Sequence, residues 1–247
     1  MAISWIVLAC VFGGALLGMG LRALLPEHHL STESRDVVRL GMGLIATISA
    51  LVLGLVIASA KTSYDAQRNE LIQLSANVIL LDRVLAHYGP ETKEARELLR
   101  RAALRALGQL WPEQDSAPAS GEPVVGSEAF FDQIQKLSPQ SDEQRSIKTR
   151  AIIVSIDLGR VRFLLTEQRG RSIPMAFLVV LVFWLTILFA SFGLFAPRNI
   201  TVVMTLFLSA LSVSGAIFLI LQLDQPFAGL IQISSAPLRN AVMLLGQ

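Results

Sequence analysis

Residues 40–60 read LGMGLIATISALVLGLVIASA, with no charged residue or histidine, and Arg39 and Lys61 stand immediately outside them. A bilayer core of ~30 Å needs ~20 helical residues, so this stretch has the length of one membrane crossing. Three more stretches share the pattern: Ile3 to Leu21, Ile173 to Pro197 and Ile200 to Leu223. Backbone groups in lipid must be bonded within their own segment, and these lengths suit helices rather than barrel strands. The expected fold class is all-α and integral membrane, with four transmembrane helices and a helical extramembrane domain between the second and third.

The composition agrees. Of 247 residues, 53% are apolar and 16% charged, where a soluble domain carries about a quarter charged. A formal charge of +2 gives no reason to expect nucleic acid as a partner. One cysteine leaves no internal disulfide, and with three histidines the chain is short of ligands for a structural zinc site. G-x-S-x-G, H-E-x-x-H, C-x-x-C and the Walker pattern are all absent, so neither an enzyme nor a cofactor is expected. Gly18-Met19-Gly20 and Gly41-Met42-Gly43 follow no strand and lie in or beside apolar spans, which removes a nucleotide reading. Glu27-His28-His29 reads as a solvated loop.

The spans organise the rest. Residues 1–60 form one transmembrane hairpin and 173–223 another. Residues 61–172 form a stalk domain with a flexible loop at 112–126. Residues 224–247 form a tail that lies at the membrane interface or packs on the stalk. Seven basic residues near the membrane on the stalk side (Lys61, Arg68, Arg160, Arg162, Arg169, Arg171, Arg239) oppose four on the other (Arg22, Arg35, Arg39, Arg198). That excess places the stalk and both termini in the cytoplasm. Within the stalk, Leu71, Leu74, Val78, Leu81 and Leu85 make a heptad seam that continues span two as one rod to Tyr88. A helix over 91–110 presents Ala95, Leu98, Ala102, Ala106 and Leu110. A long helix opened by Ser141 and Gln144 carries the seam Ile147, Ala151, Val154, Leu158, Val161 and Leu165. The two seams should pack antiparallel, within one chain or between subunits.

Two sets of intramembrane residues are candidates for function. Gly14 and Gly18 in span one, and Ala46, Ala50, Gly54 and Ala58 in span two, are small residues at intervals of four. They favour close helix packing, with a narrow pore-facing surface as the alternative. Thr201, Thr205, Ser209 and Ser212 form a hydroxyl stripe on span four, either bonded to helix carbonyls or lining an aqueous path. No span holds an ionisable group at mid-depth, which argues against pumps and ion-coupled transporters.

Three stretches, LLPEHHLSTESRDVVRLGMGLIATISALVLGLVIASAKTSYD (24–65), LLDRVLAHYGPE (80–91) and LDQPFAGLIQIS (223–234), resemble a bacterial four-span membrane family known as bestrophin-like. Gly43, Gly54, Tyr64, Asp82, Tyr88, Gly89, Asp224, Pro226, Phe227 and Gly229 fall in its pattern. The resemblance implies an analogy with bestrophins, oligomeric anion channels with four spans and a helical cytosolic domain, and hence a bacterial cell-membrane location. The chain departs from bestrophins in having no acidic calcium clasp and no aromatic constriction in span two. The expected function is an oligomeric membrane channel for small anions, a homo-oligomer in contact with membrane lipid. The alternative is a non-conducting scaffold or sensor engaging a partner through the stalk.

Overall fold

The computed structural model describes residues 2–26, 32–111, 125–167 and 175–246. It contains eight α-helices among these residues and no strand: α1 Ala2–Leu24, α2 Thr32–Tyr88, α3 Lys93–Leu110, α4 Val125–Lys136, α5 Asp142–Glu167, α6 Met175–Phe195, α7 Ile200–Leu223 and α8 Ala236–Leu244. Four are long and apolar enough to cross a membrane: α1, α2, α6 and α7. Span two is part of a 57-residue helix, which starts at Thr32, ahead of the uncharged stretch at 40–60. Contacts divide the chain into a membrane unit, Met1–Ser63 with Ser172–Gln225, and a stalk unit, Tyr64–Arg171 with Pro226–Gln247.

The membrane unit is built on α1. Val7, Val11, Ala15 and Met19 pack against Leu181, Leu185, Leu188 and Phe189 of α6 and Leu206, Ala210 and Ile217 of α7. Lipid is as apolar as these side chains, so close packing rather than exclusion of water must hold the helices together. Glycines permit the closeness. A Cβ on Gly18 would lie 1.9 Å from the Ala190 carbonyl oxygen, and one on Gly193 would lie 2.0 Å from that of Ala15. At Gly14 the obstacle is Thr186, whose carbonyl oxygen would be 2.8 Å away. The α7 N-terminus is capped by Asn199, whose side chain accepts from the Val202 amide at 2.9 Å, satisfying one orphan donor of the first turn.

The stalk unit has hydrophobic cores of its own. Val78, Leu81 and Leu85 of α2 share one cluster with Ala151 and Val154 of α5. Leu71 and Leu74 share another with Val161 and Leu165. This order makes the two helices antiparallel, and both seams close inside one chain. At the start of α5, Ser141 Oγ accepts from the Gln144 amide at 3.1 Å, while Gln144 Oε1 accepts from the Gln140 amide at 2.7 Å, a variant of the capping box.

Two stalk expectations need correction. On α3 the buried residues are Ala95, Leu99, Ala103, Leu107 and Leu110, so the core face is turned from the expected Leu98, Ala102 and Ala106, which are only half-buried. Larger Leu99 and Leu107 take the centre, and the alanines sit on its shoulder. In the expected loop, Val125 and Gly126 already belong to α4, and 112–124 lie outside the described residues, as do Glu27, His28 and His29. The tail packs on the stalk: Ile233, Leu238, Ala241 and Leu245 are all in the cores. Trp111 fixes it, donating from Nε1 to the Ile233 carbonyl at 3.0 Å and meeting Phe227 edge-on at 5.4 Å.

Candidate functional site

Span two stands apart from the other spans. Only 11% of its most apolar stretch is buried, against 33% for α1. Its inner side is Ile45, Ala46, Ser49, Val52, Leu53, Val56 and Ala60, all buried or half-buried, with Val56 and Ala60 against Ile220 of α7. The remaining circumference has two faces. One is a ridge of exposed Leu44, Ile48, Leu51 and Leu55. The other runs Arg39, Gly43, Thr47, Ala50, Gly54, Ala58 and Lys61, spaced 4, 4, 3, 4, 4 and 3, and every member is exposed. At 100° per residue these seven fall within one sector of the helix.

Small side chains on that face leave space: a Cβ added at Gly43 or Gly54 would meet nothing within 4 Å. Thr47 donates to the Gly43 carbonyl at 2.9 Å, which leaves a hydroxyl oxygen on the surface able to accept. The only charged members are basic and stand at the two ends, Arg39 beside Asp36 at 3.6 Å with both side chains well exposed. Of the small residues expected in span two, Ala46 therefore points inward, while no helix among the described residues covers Ala50, Gly54 or Ala58.

The hydroxyl stripe on α7 is exposed throughout. Thr205 donates to the Thr201 carbonyl and Ser212 to that of Leu208, both at 2.9 Å. Exposed Met204, Leu208 and Leu211 interleave with the stripe. Its surface is thus mixed, with bulky apolar chains between hydroxyls, of which those of Thr205 and Ser212 already serve their own helix.

Family-pattern residues in the stalk hold the α2–α3 turn and the tail. Asp82, 1% exposed, receives both Nε and Nη2 of Arg96 at 2.7 and 2.9 Å, a bidentate pair between α2 and α3. The hydrogen bond to Asp82 holds the Arg96 guanidinium above its ordinary pKa, against opposing desolvation. The Gly246 amide reaches the same carboxylate at 3.4 Å. After Tyr88 the chain turns at Gly89, φ +135°, a conformation that disfavours any side chain. Thr92 Oγ1 then donates to Leu85 and Gly89 carbonyls at 2.7 and 2.8 Å. Pro226 accepts from the Ile233 amide at 2.7 Å, and Gly229 has φ +91°, so these residues shape the loop that seats the tail. Asp224 ends α7. By sequence, Arg96 belongs with Lys93, Arg100, Arg101 and Arg105 on a solvated basic face of the 91–110 helix, and Trp111-Pro112 is only the stop of that helix; the structure instead turns Arg96 onto Asp82 and buries Trp111. A buried acid fourteen residues before an arginine, across a Gly-Pro turn, was the available signal for Arg96.

No group of three or more metal-ligating residues occurs among the described residues.

A bestrophin-like domain model matches residues 9–238, and the chain belongs to the bestrophin-like family. Among solved structures, it is similar to a membrane protein at 13% identity, with TM-score 0.68 and all of both chains covered. It is also similar to a bacterial bestrophin homolog from Klebsiella pneumoniae. Two variants of that protein give 13% and 15% identity, TM-score 0.67, and 98% coverage of each chain. At such identities the likeness speaks for the fold. A search of the curated proteins found no match.

Proposed function

We propose that several copies of this chain assemble in a bacterial cell membrane as a channel for small anions, with α2 of each copy beside the path. The observation that carries this reading is the exposed small-residue face of α2, basic at both ends and apolar or hydroxyl-bearing between. A span face left uncovered by the described residues is available to meet lipid or other copies. Leu44, Ile48, Leu51 and Leu55 are suited to seat against a neighbouring copy, in the way apolar ridges pack helices. The adjoining face of Gly43, Thr47, Ala50, Gly54 and Ala58 would then border a narrow axis. Arg39, beside Asp36, and Lys61 put basic groups near the two mouths, and the absence of acidic groups over residues 40–60 spares an anion the repulsion that would turn it back. The α7 hydroxyls take the secondary place in this reading, since their neighbours are bulky and apolar. The stalk and both termini face the cytoplasm, and the reading assigns no catalysis.

Purified protein in sealed liposomes tests the proposal. Chloride should leak down its gradient, and native mass spectrometry in mild detergent should find one closed cyclic stoichiometry. A monomer, or tight vesicles across chloride, nitrate and potassium, would refute it and put a stalk-bearing scaffold in its place.

A further inference from the structure

Three arginines converge on the turn between α6 and α7, at one rim of the apolar spans. Arg22, in the last turn of α1, donates from Nη1 to the Ala196 carbonyl. Arg198 donates from Nη2 to the Met19 carbonyl at 2.6 Å. Arg35, near the start of α2, stands over the Phe195 ring with its guanidinium carbon 5.6 Å from the centroid. The bonds to Ala196 and Met19 account in part for Arg22 and Arg198, because cations suit the carbonyl ends of α6 and α1.

Two features go beyond helix capping. None of the three is seen paired with a carboxylate among the described residues, in contrast to Arg39 with Asp36 or Arg96 with Asp82. In addition, Arg35 Nε is buried and has no acceptor among the described residues. A desolvated charged donor without a partner is costly, and three like charges around one turn repel one another. Beside Arg198 an open groove of about 450 Å³ is bordered by Met19, Gly20, Asn199, Ile200 and Val203. Each guanidinium carries five N–H donors in a planar fork, so most remain available to an oxyanion.

We infer that Arg22, Arg35 and Arg198 form a binding site for a phosphate group at this rim of the membrane unit. Its ligand is the phosphodiester of an anionic lipid or inorganic phosphate. A phosphate matches the fork geometry of arginine, and at a bilayer rim the phosphodiester is the anion most abundantly presented. The site stands whether or not the chain conducts.

The test uses the full chain in detergent. Retained lipid is counted by native mass spectrometry after mixing with phosphatidylglycerol or with phosphatidylcholine, in the presence and absence of inorganic phosphate. Arg35→Gln is the principal variant, because it removes an aromatic contact and no helix-end hydrogen bond. Arg198→Lys keeps the charge and removes the fork, and Arg100→Gln on α3 controls for net charge. The wild type should retain phosphatidylglycerol in preference to phosphatidylcholine. Arg35→Gln should weaken that by about tenfold, Arg198→Lys by less, and Arg100→Gln not at all. Displacement by inorganic phosphate would show that the site takes the free ion; retention in its presence would assign it to the lipid phosphodiester. Equal retention of the two lipids together with no effect of phosphate on melting temperature, or equal binding by Arg35→Gln and wild type, would overturn the inference.

Discussion

The contact between α1 and α6 gives a prediction in which one helix supplies both the perturbation and its control. Gly→Ala inside a helix ordinarily stabilises by about 0.5–1 kcal/mol, since alanine has less backbone entropy to lose. At Gly13 nothing lies within 4 Å of the added Cβ, so that gain should be realised. At Gly18 the Cβ would stand 1.9 Å from the Ala190 oxygen and 2.8 Å from its carbonyl carbon, where ordinary contact begins at 3.4 Å. The obstacle is backbone, with no rotamer to escape into, so α1 and α6 must part by about 1.5 Å here. Overpacking costs typically ~1–3 kcal/mol, and a clash with main chain belongs at the upper end. Loss of dispersion along the parted helices acts in the same direction. Thermal unfolding in detergent reads the difference. Gly18→Ala should melt roughly 6–12 °C below wild type, from ~3 kcal/mol at ~2–4 °C per kcal/mol, and Gly193→Ala should match it from the other helix. Gly13→Ala should melt at or slightly above wild type. If Gly18→Ala and Gly13→Ala melt within a degree of each other, the close approach of these helices is not there.

Other expectations concern the stalk and the path. Arg96→Met should destabilise the stalk by about 3–5 kcal/mol, because it leaves the Asp82 carboxylate buried without its partner, and adding Asp82→Leu should recover much of the loss; chemical denaturation of each variant checks both. Tyr88 is 4% exposed and its hydroxyl has no partner among the described residues, so Tyr88→Phe should be neutral or stabilise by about 1 kcal/mol. Burial, then the charge of Glu91, raises the Tyr88 pKa. The unfolded chain therefore releases this proton first as pH climbs past ~10, and stability must fall above that pH. Tyr88→Phe should flatten that alkaline decline in a pH series of melting temperatures. In liposomes, Arg39→Glu with Lys61→Glu should lower chloride flux relative to potassium, read from the reversal potential.

Much of this architecture is written in period and charge. Four uncharged stretches give the spans, and the 3–4 spacing of Leu71 to Leu85 and of Ala151 to Leu165 gives two stalk seams, because a heptad encodes a face directly. The α3 face is not encoded so cleanly. Leu98 and Leu99 are adjacent, alanines flank both, and two neighbouring faces are almost equally apolar until Phe130 and Ile134 of α4 decide between them. Span two poses a different difficulty. Ala46, Ala50, Gly54 and Ala58 satisfy a packing rule and a pore rule equally, since both require small side chains. Which side points inward depends on contacts with α1 and α7 that no local pattern contains. The same holds for Arg22, Arg35 and Arg198, separated in sequence by up to 176 positions, whose convergence on one turn exists only in three dimensions.

The most direct test of conduction beside α2 is chloride flux from liposomes carrying Gly54→Cys in a Cys10→Ser background, before and after a charged, membrane-impermeant thiol reagent. Nothing lies within 4 Å of a Cβ at position 54, so the thiol should fit the folded helix. The account predicts that chloride passes and that the reagent cuts the flux severalfold, while Ser209→Cys on α7 in the same background is little affected. Absence of chloride flux, or block at position 209 with none at 54, would contradict it.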